Sequence, residues 1–241
     1  MSQFVNLSAK QSKNAYYSIY KNALRKKRDA LALININKSY DSANSLLVLS
    51  SEELIKSIVV FLHSEGFEVY KIKTAKKIFS DHRYRHNIAK IFEVAIGISD
   101  SFLRYETIEK SNKEFSKDNN VNTLINQLFD FKESAKPLEQ TTERNELIEN
   151  FNDNKNKGLY TDFREELQIT SEQITEETFH KTLEIVERLI RFYKMLIIQF
   201  HSNAENHPNL LKYVIDKDGA RTFFNGVVGF LATLENMNNE S

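Results

Sequence analysis

Cysteine and tryptophan are absent from this chain of 241 residues, which has only two prolines and six glycines, and its 33 basic residues are matched by 33 acidic ones. Without cysteine there is no disulfide framework, no thiolate metal site and no cysteine nucleophile. So few turn formers cannot supply the tight connections of a sandwich, a barrel or a doubly wound sheet, so long helices are the default. Uncharged apolar stretches such as Ser57 to His63 and Met195 to His201 fall far short of the roughly 18 residues that a membrane helix needs. The opening MSQFVNLSAKQSK has no signal-peptide apolar core. A cytoplasmic, all-α protein with no membrane span is the expectation.

The zero balance conceals an asymmetry. Residues 1–90 hold 16 basic and 7 acidic side chains, an excess of +9, and residues 91–241 carry the opposite excess. A polyanionic partner would meet the first third of the chain, although the two segments can also neutralise each other across a fold.

Apolar residues at helical spacing predict a first helix over Ser12 to about Asn35 and a second from Tyr40 to near Gly66, which can end it in the left-handed conformation. In the second, Leu46 to Leu49, Leu54, Ile55 and Ile58 to Leu62 point all around the wheel, so it should be central and buried. A short basic helix is expected over 69–80, then one capped by Asp81 and running toward Ile108. The polar stretch Glu109 to Val121 reads as a loop or insertion. Next come a helix from Val121 to Ala135 and another begun by Pro137 and ended near Gly158. The longest helix is expected from Thr175 to His201. There Phe179, Leu183, Val186, Ile190, Tyr193, Ile197 and Phe200 form a heptad seam, suited to a bundle core or to a dimer.

Three polar groups interrupt this pattern. Glu52, Glu53 and Lys56 sit on the apolar central helix, where charges either form a solvated pair or line a cleft and satisfy one another. Asp81 to His86 packs His82, Arg83, Arg85 and His86 around Tyr84. Imidazole exchanges protons near neutrality and guanidinium holds phosphate, so the run could cleave RNA without a metal. His82 and His86 are also spaced as possible metal ligands, but no HExxH accompanies them, and a plain basic strip is the third reading. Lys155 to Asp162, with Lys157, Gly158, Tyr160 and Asp162, resembles a solvated helix end.

The same three runs, in the same order, resemble the AbiV signature. Tyr40, Ala43 and the E-E-x-x-K of Glu52, Glu53 and Lys56 are similar to its first block. Phe79-Ser-Asp-His82 followed by Arg85 is similar to its second, and Gly158-Leu-Tyr160-Thr-Asp162 to its third. AbiV proteins are abortive-infection phage-defence proteins of the HEPN superfamily, many of whose members are RNase toxins. The resemblance implies an all-α, HEPN-like helical bundle with additional helices. It would be one domain over 1–241, with a family-variable insertion at about 101–140 and a helical extension from about 205. It further implies a homodimer, RNA as partner, a possible phage-encoded protein trigger, and no metal or cofactor.

HEPN nucleases generally use an Arg four to six residues before a His, a spacing found nowhere in this chain, where Lys77 and Lys76 stand nearest before His82. The expected activity is a metal-independent endoribonuclease in which the 2′-hydroxyl attacks the adjacent phosphate. His82, Arg85 and Glu53 would be catalytic. Glu52, Lys56, His86, Lys157, Tyr160 and Asp162 would bind RNA or support the site. The alternative is a non-catalytic helical protein that binds a phage or host protein.

Overall fold

The computed structural model describes residues 4–71, 74–115, 121–159, 162–163, 167–168 and 174–200, with the isolated positions 219, 222, 225 and 226. Among the continuously described stretches, seven helices follow in order: α1 Ala9–Asn37, α2 Tyr40–Ser64, α3 Ala75–Ser80, α4 His82–Phe115, α5 Val121–Glu149, α6 Phe151–Leu159 and α7 Glu176–Phe200. Short 3-10 turns cover Phe4–Asn6 and Val69–Lys71, and a two-residue antiparallel ladder pairs Asp162–Phe163 with Leu167–Gln168. The architecture is all-helical, as composition requires.

Local chemistry sets the boundaries. Ser8 caps α1 in a box with Gln11: the Gln11 N–H donates to Ser8 Oγ at 3.3 Å and the Ser8 N–H to Gln11 Oε1 at 2.9 Å. The end of α2 is a Schellman turn. Gly66, at φ 87°, donates to the His63 carbonyl, while Phe67 donates to that of Leu62 and buries its ring beside it. At the start of α4, Asp81 Oδ1 accepts the N–H groups of Arg83 (2.8 Å) and Tyr84 (3.3 Å).

Helix α2 is the axis of the bundle. Leu47, Leu54 and Ile58 are wholly buried, α1 and α7 cover one side, and α4 and α6 cover another. Ser50 Oγ donates to the Ala23 carbonyl and Ser57 Oγ to that of Tyr16, each at 2.7–2.8 Å, fastening α1 to α2. The heptad seam of α7 packs inside the protomer. Phe179, Val186, Ile190 and Tyr193 are buried, and Tyr20 and Phe61 meet the Tyr193 ring edge-on. This seam is therefore not a free surface for a dimer.

Three expectations need correction. The polar stretch after Glu109 continues α4 as far as Phe115, because Glu, Lys and Ser are tolerable helix residues, and Lys110 pairs with Glu106 one turn back at 3.6 Å. Residues 116–120 lie outside the described ones, and among the described helices α4, not α7, is the longest. Pro137 starts no new helix but lies inside α5. Its missing N–H removes one helical hydrogen bond to the preceding turn, while its own carbonyl accepts from Thr141 Oγ1 (3.0 Å) and Arg144 Nη2 (3.1 Å).

Candidate functional site

On the α2 wheel, Asp41, Ser45, Val48, Glu52 and Ile55 share one buried face. Glu52, only 3% exposed, is the charged member of that face at mid-helix, and a lone carboxylate there would cost several kcal/mol. Four cationic or imidazole groups from two other helices surround it. Oε2 lies 2.5 Å from His82 Nδ1 and accepts from Arg85 Nη2 at 2.8 Å, while Oε1 is 3.3 Å from His86 Nε2 and 3.5 Å from Lys155 Nζ. The His86 contact is a close approach rather than an aligned hydrogen bond. Burial pushes the Glu52 carboxyl up, but the contacts with His86 and Arg85 and the charges of Arg85 and Lys155 outweigh it and hold the group far below the ordinary carboxylate range.

The cage opens at one point. Arg85 and His86 are 4% exposed and the Lys155 side chain 8%, whereas the His82 side chain is 46% exposed. Two lone pairs facing each other at 2.5 Å would repel, so the proton between His82 and Glu52 sits on Nδ1 and donates to the carboxylate. Arg85 Nη2 (2.9 Å) and Lys155 Nζ (3.2 Å) come near Nδ1 because they converge on the same carboxylate. Nε2 is then the basic nitrogen of the ring, with no hydrogen-bond partner among the described residues. A carboxylate that fixes the tautomer of a water-facing imidazole is the arrangement used for general base catalysis.

Each helix presents its residue for a readable reason. The Asp81 cap starts α4 so that His82, Arg85 and His86, three and four apart, share the first turn's inner face. Arg85 is anchored from behind by the Ile78 carbonyl at 3.0 Å. Helix α6 comes close to α2 at Gly158: an added Cβ would stand 2.4 Å from the Asp41 carbonyl oxygen and from Ser45 Oγ. Ser45 Oγ donates to the carbonyls of Asp41 (3.1 Å) and Lys155 (2.9 Å), which locks α6 in place. Lys155, three residues before Gly158, is thereby aimed at Glu52.

Of the residues singled out from the sequence, the structure brings together Glu52, His82, Arg85 and His86. Glu53 and Lys56 pair with each other at 2.7 Å, each side chain 19% exposed, on the neighbouring face of α2. Lys157 is exposed on α6. Tyr160 lies outside the described residues, and of Asp162 only the backbone pairing is described. Lys155 was missed as a member, although it shares a helix face with Gly158.

A second buried carboxylate lies deeper. Glu93 of α4, 0% exposed, contacts the Nε of Arg144 from α5 and accepts from Arg188 Nε of α7 at 2.8 Å. Arg188 also reaches Asp100 at 2.9 Å and Arg144 reaches Glu184 at 3.4 Å. Burial pushes the Glu93 carboxyl up against the pull of both guanidiniums. Among the described residues no group of three or more His, Asp or Glu is arranged to hold a metal ion, and no helix is long and apolar enough to cross a membrane.

Residues 11–191 match the family model described as AbiV, a HEPN family associated with abortive infection. No curated protein and no solved structure matches the chain.

Proposed function

The chain belongs to the AbiV family of the HEPN superfamily, and from that premise we propose that it is a phage-defence endoribonuclease whose working group is His82. The observation that carries the proposal is the contact of His82 Nδ1 with buried Glu52 on a ring still half open to water. In the reaction, His82 Nε2 takes the proton of an RNA 2′-hydroxyl as that oxygen attacks the adjacent phosphorus. The bond to the 5′-oxygen of the next nucleotide breaks, leaving a 2′,3′-cyclic phosphate, and a proton is returned to that leaving oxygen. Glu52 stabilises the imidazolium formed in between.

Arg85, expected from sequence to grip phosphate, is a positioning residue in this scheme: it is buried and spends its guanidinium on Glu52 and Ile78. His86 and Lys155 likewise keep Glu52 ionised. The wider reading includes action in the cytoplasm, a homodimer, and activation by a phage-encoded protein.

The burial of Arg85, His86 and Lys155 favours one other reading, in which the cluster is only a brace and the protein binds a phage or host protein without catalysis. Purified protein incubated with total RNA in EDTA separates the two. Cyclic-phosphate ends that appear with the wild type and vanish with His82→Ala support the nuclease. Intact RNA throughout, with divalent metal and infected-cell extract also tried, leaves the binder.

A further inference from the structure

The outward face of α1 carries charge that the fold does not use. The helix has seven basic residues and one acidic, Asp29. Lys27 is tied to Glu187 of α7 at 2.6 Å. Lys10, Lys13, Lys21, Arg25 and Arg28 are all exposed, and none has a carboxylate within ion-pair distance among the described residues. At about 100° per residue, Lys10, Tyr17, Lys21, Arg25 and Arg28 fall in one row roughly 27 Å long. The Tyr17 ring is 55% exposed, and the Lys21 ammonium stands 4.9 Å from its centroid.

This row costs the helix stability. Lys21 and Arg25 are like charges four apart, Arg25 and Arg28 three apart, and Lys10 lies in the first turn, where the helix dipole disfavours a cation. A membrane surface would require an apolar face to sink into the lipid, and the apolar face of α1 is already spent on α2 through Tyr20, Ala23 and Ala30. A cationic row with an exposed aromatic within it is instead the pattern that neutralises backbone phosphates while a base stacks on the ring.

We propose that the Lys10–Arg28 face of α1 is a binding track for single-stranded nucleic acid, separate from the His82 cluster. The separation is geometric. Ser50 fastens α2 to α1, whereas Glu52, two residues and about 200° further round, faces α4 and α6. The track would hold a strand outside the cleavage site, and its existence does not depend on cleavage.

Fluorescence anisotropy tests it on the full chain, with a labelled 2′-O-methyl RNA 20-mer, which has no 2′-hydroxyl to attack, and a single-stranded DNA 20-mer of the same sequence. Neutralising four phosphates predicts that affinity falls by roughly 50-fold between 50 and 200 mM salt. The variant K21E/R25E/R28E should lose at least about tenfold at low salt, and Tyr17→Ala roughly fivefold, with Tyr17→Phe restoring it. These side chains are exposed, so circular dichroism should not change. Loss on one strand only would still support the track and would name the strand. Failure of the wild type to bind either strand, equal binding by the charge-reversed protein, or binding to anionic phosphatidylserine vesicles in place of both strands overturns it. Cleavage of unmodified RNA, read separately, bears only on His82.

Discussion

Glu52 and Glu93 are the same problem solved twice. Each is a buried carboxylate on a long helix, surrounded by cations from two other helices. Glu93 is held by two guanidiniums and is sealed on all sides. Glu52 is held by a guanidinium, an ammonium and two imidazoles, one of which reaches water. The difference teaches what turns a buried ion cluster into a candidate site: a member that exchanges protons near neutrality and an opening through which it does so. The direction of each carboxyl follows. Glu52 is driven down because its partners outweigh its burial, and Glu93 is pushed up because burial wins.

The largest expected effect tests the sealed cluster. Arg188→Ala leaves Glu93 buried with one guanidinium and should cost about 3–5 kcal/mol, read as a lowered denaturant midpoint, while RNA cleavage per folded molecule stays at the wild-type level. Loss of cleavage with little change in stability would break the comparison. Next, His82→Ala should lower cleavage by roughly 100-fold or more with the melting temperature nearly unchanged. A His82 that merely braced the fold would show the reverse pattern.

A smaller effect is expected at Gly158, which touches none of the cage side chains. Gly158→Ala forces α6 off α2 and should cost about 1–3 kcal/mol. It should also lower cleavage by withdrawing Lys155, and a variant that is destabilised but equally active would remove Lys155 from the site. The smallest effect is in the pH dependence of stability. Because the folded value of Glu52 lies below its ordinary value of 4.5, its contribution is complete above that value and is lost only as pH falls through the folded value. Glu93, raised above the same ordinary value, contributes fully below it and loses that contribution as pH rises through its folded value. In thermal melts against pH, the deficit of Glu52→Gln should persist down through pH 4.5 and close only in stronger acid. A deficit that closes at ordinary carboxylate pH would contradict the assignment.

The central helix and its ends were legible because each signal is local: an apolar pattern all round, Gly66 for the stop, Asp81 for the next start. The partners within the site were less so. Glu52 and Glu53 are adjacent in sequence and differ by one step of helical phase. Only the phase shared with Asp41, Ser45 and Val48 marks Glu52 as the inner one. Lys155 and Lys157 pose the same choice, resolved by the close approach at Gly158, three residues beyond Lys155. Pro137 misled because a helix-start residue can also sit within a helix that packing on a neighbour sustains. Nothing in the sequence of α7 alone said that its seam faces α2 rather than a second chain.

The cage around Glu52 closes across 103 positions of sequence, from α2 to Lys155, and that span sets an order of events during synthesis. The hairpin of α1 and α2 is made of near neighbours and can form early on the ribosome, whereas contacts of long sequence separation wait for the later helix to emerge. Until α6 has left the exit tunnel and docked, Glu52 lacks one of its cations and the Ser45 latch has nothing to hold. A nascent or truncated chain without α6 would therefore carry an unfinished site, and the proposed cleavage would become possible only after α6 has docked.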